Sequence, residues 1–163
     1  MMEKAKLLIR RATTDDANSF LQLIDGLAAY EKLEPPNTEA KKRLERDMSA
    51  STPRFEVYLA EMGITPVGYA IVFETYSTFL ALPTLYLEDL FVLPEYRKSG
   101  IGYALFRKIA TEARKRGCGR MEWAVLDWNL LAINFYRKLG ATHLKEWNVY
   151  RLTEADLERI GNE

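Results

Sequence analysis

One cysteine and one histidine in 163 residues leave little scope for metal or disulfide chemistry. Cys118 has no second thiol in the chain, and His143 alone does not supply the ligands of a usual zinc site, so no metal is expected. Cys118, between two glycines, reads as a small packing residue and His143 as a surface or strand-edge residue. Net charge is also missing, since 23 Lys and Arg balance 23 Asp and Glu. That argues against a protein held to nucleic acid by bulk positive charge. No stretch approaches the ~20 apolar residues of a membrane span. The opening Met-Met-Glu-Lys-Ala-Lys run passes straight into a strand-like segment, without the apolar block of a secretory signal, and the expected setting is cytoplasmic. Repeats and low-complexity segments are absent too, and the length suits one well-buried core, read here as a single domain over 1–163.

What is present is a succession of strand and helix patterns. Leu7 to Ala12 reads as a strand, followed by a helix capped by Thr14 or Asp15 and running to about Lys32. Its apolar stripe is Phe20, Leu23, Ile24, Leu27 and Ala28, and Glu34-Pro35-Pro36 ends it. A polar helix from Thr38 to Met48 closes at Thr52-Pro53. Phe55 to Glu61 and Val67 to Thr75 read as strands joined by a hairpin at Met62-Gly63-Ile64-Thr65-Pro66. A strand ending at Val92 leads through a basic, glycine-marked turn into a helix that stops at Gly117. Then come a strand from Met121 to Leu126, a helix from about Leu130 to Leu139 stopped by Gly140, strands around Ala141 to Leu152, and a terminal helix after Thr153. This order predicts an α/β fold with a central mixed, mostly antiparallel sheet flanked by helices.

The turn Arg97-Lys98-Ser99-Gly100-Ile101-Gly102 carries the first chemical signal. Amides in the first turn of a helix have no internal acceptor, and the helix dipole concentrates positive charge where they point. Gly100 and Gly102 remove side chains that would obstruct an approaching diphosphate, and Arg97 and Lys98 add full charge. A connection chosen only for backbone freedom reads the same way. A P-loop is excluded because Lys98 and Ser99 precede the glycine, and the dinucleotide fingerprint because Leu105 stands where a small residue is required.

The second signal is Glu88-Asp89, two carboxylates inside the apolar run Leu85 to Val92. In a regular strand Tyr86, Glu88, Leu90 and Val92 face one way while Leu87, Asp89, Phe91 and Leu93 face the other. Adjacent carboxylates cannot both reach the wet side without a bulge, and burying either needs a partner or a purpose. Asp89 reads as the structural member, paired with an arginine or a backbone amide.

Together with Ile9-Arg-Arg-Ala-Thr13, Ala29-Tyr30-Glu31, Tyr86-Leu-Glu-Asp-Leu-Phe-Val92, Asp127-Trp-Asn129, Ile133-Asn-Phe-Tyr136 and Gly140-Ala141, the turn resembles the GNAT acetyltransferases. Over nearly the whole chain it resembles one branch in particular, the diamine acetyltransferases that act on spermidine, spermine or thialysine. The resemblance implies a GNAT fold, acetyl-CoA as cosubstrate, a small-molecule amine as acceptor and a homodimer, for which exposed Phe79, Leu80 and Leu82 are interface candidates. It implies that backbone groups of Leu90, Phe91 and Val92 meet the pantetheine arm and supply an oxyanion donor. Arg97, Lys98, Ser99, Gly100, Ile101, Gly102 and Tyr103 would hold the diphosphate, and Asn129, Leu130, Leu131 and Ala132 would line the cofactor's other side. Tyr136 is implied as the acid that protonates the departing thiolate, though a half-buried aromatic on an amphipathic helix is the commoner fate of such a tyrosine. Glu88 is implied at the substrate amine, with Tyr30, Glu31, Glu122, Trp123, Ala124 and Glu146 as the remaining amine-binding positions; Glu31 and Glu146 also read as plain surface charges.

Direct proton transfer from an alkylammonium to an ordinary glutamate is uphill by about 8 kcal/mol, so desolvation or a relaying water has to assist Glu88. Acetylation of a protein lysine or N-terminus, and a non-catalytic acetyl-CoA-binding module, remain alternatives at this level.

Overall fold

The computed structural model of the protein describes residues 6–162. The chain forms two compact units that divide between Ala124 and Val125. In the first, β1 (Leu7–Arg11), β2 (Glu56–Met62), β3 (Thr65–Ser77), β4 (Leu82–Val92) and β5 (Arg120–Glu122) make one sheet in the order β1-β2-β3-β4-β5. The first four strands run antiparallel and β5 joins β4 in parallel. The mixed, mostly antiparallel sheet expected from the pattern is therefore present.

Helices α1 (Ala17–Glu31) and α2 (Thr38–Ser49) contribute to the core on one face of the sheet, α3 (Ile101–Lys115) to the core on the other. On the α3 face, Ile101, Leu105 and Ile109 pack with Tyr58, Ala60, Ala70, Val72, Leu85 and Leu87. On the α1 face, Phe20 and Leu23 pack with Val57, Leu59, Tyr69, Ile71 and Phe91. The period-2 alternation of β2 and the i, i+3 stripe of α1 thus meet in one core layer, as the sequence pattern predicts.

Two arginines tie the layers together. Arg10 of β1 donates to both oxygens of Asp16 at 2.7 Å and to Glu61 of β2 at 2.6 and 3.0 Å, anchoring the entry to α1. Arg116, at the end of α3, grips Glu56 of β2 at 2.7 and 2.8 Å. The helix start differs from expectation: a short 3-10 turn, Thr14–Asp16, precedes α1, and Thr13 closes it by donating its amide and hydroxyl to Asp16. At its other end α1 stops before the prolines, because Lys32 turns into the left-handed region with φ 58°.

The second unit holds α4 (Leu130–Lys138) and α5 (Glu154–Gly161). Thr153 caps α5 in a reciprocal box with Asp156. No strand forms between 141 and 152, among the described residues, and β5 ends at Glu122 rather than Leu126. Strand propensity alone does not make a ladder, which forms only where a partner strand is paired.

Candidate active site

The strand carrying the two carboxylates is irregular at the carboxylates themselves. Along the β3–β4 ladder Ile71 faces Asp89 and Val72 faces Leu87, so Glu88 is the extra, unpaired residue of a β-bulge. The bulge inverts the side-chain parity of β4. Leu85 and Leu87 before it, and Leu90 and Val92 after it, all lie on the α3 face, whereas Phe91 lies on the α1 face. Glu88 and Asp89 both line a cavity of about 430 Å³ together with Ile24, Leu44, Arg54, Phe55, Ile71 and Phe73. The strict alternation expected from the sequence, with the two carboxylates on opposite faces, is corrected by this one extra residue.

Asp89 also has a different partner from the one expected. Among the described residues neither an arginine nor a backbone amide holds it; the Tyr69 hydroxyl donates to Oδ2 at 3.1 Å. Burial, with the nearby charges of Glu88 and Glu31, pushes the Asp89 carboxyl up to about 6, although the Tyr69 hydrogen bond opposes the shift. Burial also raises Glu31. The structure thus gathers Glu31, Glu88 and Asp89 into one acidic region, of which sequence reasoning assigned only the first two to substrate. The signal for Asp89 was its adjacency to Glu88, legible only if a bulge is assumed.

The same strand offers a free edge. β5 pairs with β4 only at Thr84↔Arg120, Leu85↔Met121 and Tyr86↔Glu122, then leaves it. Beyond Tyr86 the backbone of β4 has no strand on that side, among the described residues. Leu93 donates its amide to Val67 of β3 at 2.9 Å. By antiparallel alternation Phe91 also turns toward β3, while Leu90 and Val92 turn toward the open edge. The Val92 carbonyl there accepts from Arg97 Nε at 2.8 Å.

Arg97 accordingly bolts the turn to the strand, and its guanidinium lies 4.2 Å above the Tyr30 ring. The cation on Tyr30 is thus an arginine of the chain itself. Beyond it Lys98 takes φ 61° and Gly100, the residue preceding α3, takes φ 85° with nothing within 4 Å of where a Cβ would stand. Gly100 offers no side-chain cap, so the first amides of α3 remain available to an anion. Gly102 is equally open, with only a Val92 methyl at 3.9 Å. Ile101 is buried in the core, leaving its backbone alone to face a ligand, whereas Lys98, Ser99 and Tyr103 are exposed. The space and the amides fit a diphosphate.

Of the other expected substrate positions, Glu122 pairs with Arg120 at 3.0 Å, Trp123 packs edge-on against Phe106, and Ala124 is exposed. In the second unit, Asn129 Oδ1 accepts from the Ala132 amide at 3.2 Å and caps α4, on which Leu130 and Leu131 are exposed. Tyr136 is partly buried on that helix, and burial pushes its phenol up to about 12, so it stays protonated at neutral pH. Glu146 lies exposed in the irregular segment before α5.

A mixed sheet bulged at Glu88, with a glycine turn opening the next helix, defines an α/β protein whose turn has the space and the amides for a phosphate-bearing ligand. The chain belongs to the acetyltransferase (GNAT) family, whose pattern matches residues 21–141. It is 37% identical to a thialysine N-epsilon-acetyltransferase of Bos taurus, over 96% of this chain and 99% of that one. It is 40% identical to the L-ornithine N5-acetyltransferase NATA1 of Arabidopsis thaliana, over 70% of this chain and 51% of the relative. Among solved structures, an integron cassette protein from V. cholerae superposes with a TM-score of 0.83 at 22% identity, covering 96% of this chain and 98% of that one.

Proposed function

We propose that this N-acetyltransferase moves the acetyl group of acetyl-CoA to a primary amine of a small di- or polyamine or of a thialysine-like amine, by direct attack. The observation that carries the reading is the bulge at Glu88, which brings Glu88 and Asp89 together to line one cavity. Acidic walls suit a cationic acceptor, and apolar ones desolvate its ammonium and ease loss of the proton. The amine nitrogen then bonds to the acetyl carbon, the carbon–sulfur bond breaks, and the thiolate takes a proton. Glu88 receives the amine proton, directly or through water. Backbone amides at Leu90 or Val92 face the developing oxyanion, a donor of this kind contributing roughly 3 kcal/mol in acyl transfer. The amides and side chains from Lys98 to Tyr103 hold the diphosphate, Asn129 to Ala132 line the cofactor, and Tyr136 supplies the proton to sulfur.

The same reading takes 1–163 as one acetyltransferase domain, active as a homodimer in the cytoplasm without metal, nucleic acid or membrane. The unpaired Cys118 suits a reducing compartment, and no helix among the described residues is long and apolar enough to cross a membrane.

CoA release from acetyl-CoA, followed with spermidine, putrescine, thialysine, lysine and a lysine peptide, tests the reaction. Turnover with a small amine is expected; acetylation of the peptide alone, or CoA binding with no turnover, would refute it. Tyr136→Phe in the same assay should lower kcat by about a hundredfold with little change in CoA affinity. Unchanged kcat would remove Tyr136 from the mechanism.

A further inference from the structure

The bulge at Glu88 also decides what Asp89 can reach within the sheet. With Ile71 opposite Asp89 and Tyr69 opposite Phe91, Tyr69 is the diagonal cross-strand neighbour of Asp89, on the face where Tyr69, Ile71 and Phe91 pack with α1. The Tyr69 hydroxyl donates to Asp89 Oδ2 at 3.1 Å, and no other hydrogen bond or ion pair reaches that carboxylate among the described residues. Tyr69 is fully buried and takes no part in lining the cavity, whereas Asp89 lines it together with Glu88. Burial and the Asp89 charge push the Tyr69 phenol far above its ordinary value, so it stays the donor across the neutral range.

We propose that Tyr69 is a positioning residue for the acceptor amine: it fixes one oxygen of Asp89 and so leaves the other to meet the acceptor's ammonium, together with Glu88. The inference rests on the acetyl-transfer reading above and deepens it. Tyr69 itself touches neither amine nor cofactor and acts only through Asp89. The groups around Asp89 show why a donor behind it is needed. Glu88 on β4 and Glu31 on α1 both raise it, as does burial, and Arg54, between α2 and β2, lines the cavity without a bond to it. Burial and two neighbouring negative charges favour the protonated acid, which is a poor partner for an ammonium. The Tyr69 hydrogen bond opposes them. A hydroxyl donated from the core steadies the ionised carboxylate without cancelling its charge, as a paired arginine would, and the full negative charge is left for the ligand.

Initial rates with spermidine, putrescine, thialysine and lysine, taken from about pH 5 to about pH 9, test this role. For the wild-type protein kcat/KM for the amine should fall on the acid side with a midpoint near about 6, as Asp89 takes up a proton. Tyr69→Phe removes the donor and keeps the ring, which packs against Phe20 and Phe91 at centroid distances of 5.6 and 6.2 Å, so the fold is expected to persist. Its acid limb should move to higher pH, raising KM about three- to tenfold at about pH 6.5 and much less at about pH 8.5, with CoA affinity unchanged. Asp89→Asn should remove the limb, and adding Tyr69→Phe to it should cost little more, since both changes break one interaction. A loss in Tyr69→Phe that is equal at every pH and adds in full to that of Asp89→Asn, or a profile that does not move, overturns the positioning role and leaves acetyl transfer intact. No turnover of any of the four amines by the wild-type protein overturns the acetyl-transfer reading, and this inference with it.

Discussion

Asp89 shows how one residue of the proposed site costs the fold stability. Its carboxyl titrates near 6 against 3.8 for the free group, so the native state holds this proton more tightly than the unfolded chain does. The contribution to stability is then largest below the free value and falls as pH rises through about 6, amounting to a penalty of about 3 kcal/mol at neutral pH. Asn can still accept the Tyr69 hydrogen bond without carrying charge. Asp89→Asn should therefore raise the melting temperature at about pH 7.5, have little effect near pH 4, and weaken the amine as judged by kcat/KM. Thermal unfolding at the two pH values checks the first part; a variant that melts lower at neutral pH would show that the buried charge is stabilised by groups other than Tyr69. The need for a partner or a purpose was legible in the sequence, since two adjacent carboxylates in an apolar strand demand one. The partner was not, because a tyrosine twenty residues away becomes a neighbour only when β3 and β4 align in register.

At the scale of elements, the turn into α3 separates two reasons for a glycine. Gly100 sits at φ 85°, a backbone conformation that costs a side-chain-bearing residue about 1–2 kcal/mol. Gly102 is helical, and a methyl there would meet only Val92 at ordinary contact distance. Gly100→Ala should consequently destabilise the protein by about that amount. Gly102→Ala should leave stability unchanged or raise it by up to about 1 kcal/mol. If the open space over Gly102 receives the diphosphate, the same methyl should weaken CoA by roughly tenfold, through overpacking of a close contact. Chemical denaturation and a CoA titration on the two variants separate the effects, and full CoA affinity in Gly102→Ala would move the diphosphate away from this residue. Elements with a strong local pattern were legible: α1, α2, α3 and the hairpin of β2 and β3 fall within a few residues of expectation. The bulge was not, because an inserted residue changes parity without changing composition. The strands expected between 141 and 152 were misread for the opposite reason, since alternating apolar residues resemble a strand whether or not an edge is there to receive them.

For the whole molecule, the charges and the apolar surface pull in different directions. Arg10 holds the Asp16 carboxyl well below the usual range, and Arg116, against the opposing effect of burial, lowers Glu56, so both ion pairs favour the charged carboxylate and keep α1 and α3 fastened to β1 and β2. Among the described residues, no comparable ion pair covers the distal end of the β3–β4 hairpin. Tyr76, Phe79, Leu80 and Leu82 stand there 64, 99, 46 and 42% exposed, with Leu80 and Leu82 both close to Gly119. Large apolar side chains grouped at one end of a sheet are more than the scattered exposure of an ordinary surface, and a second copy of the chain is the occupant that the homodimer reading assigns to them. Burying this end would remove several large side chains from water, at about 25 cal/mol for each Å² of apolar area. Light scattering of the purified protein should accordingly give twice the chain mass. Phe79→Asp, which adds a charge at the most exposed of these positions and touches no core residue, should return it to a monomer with an unchanged melting temperature at low protein concentration. A variant that remains dimeric would move the interface elsewhere on the molecule, and a wild-type protein that is monomeric at assay concentration would remove the homodimer from the reading.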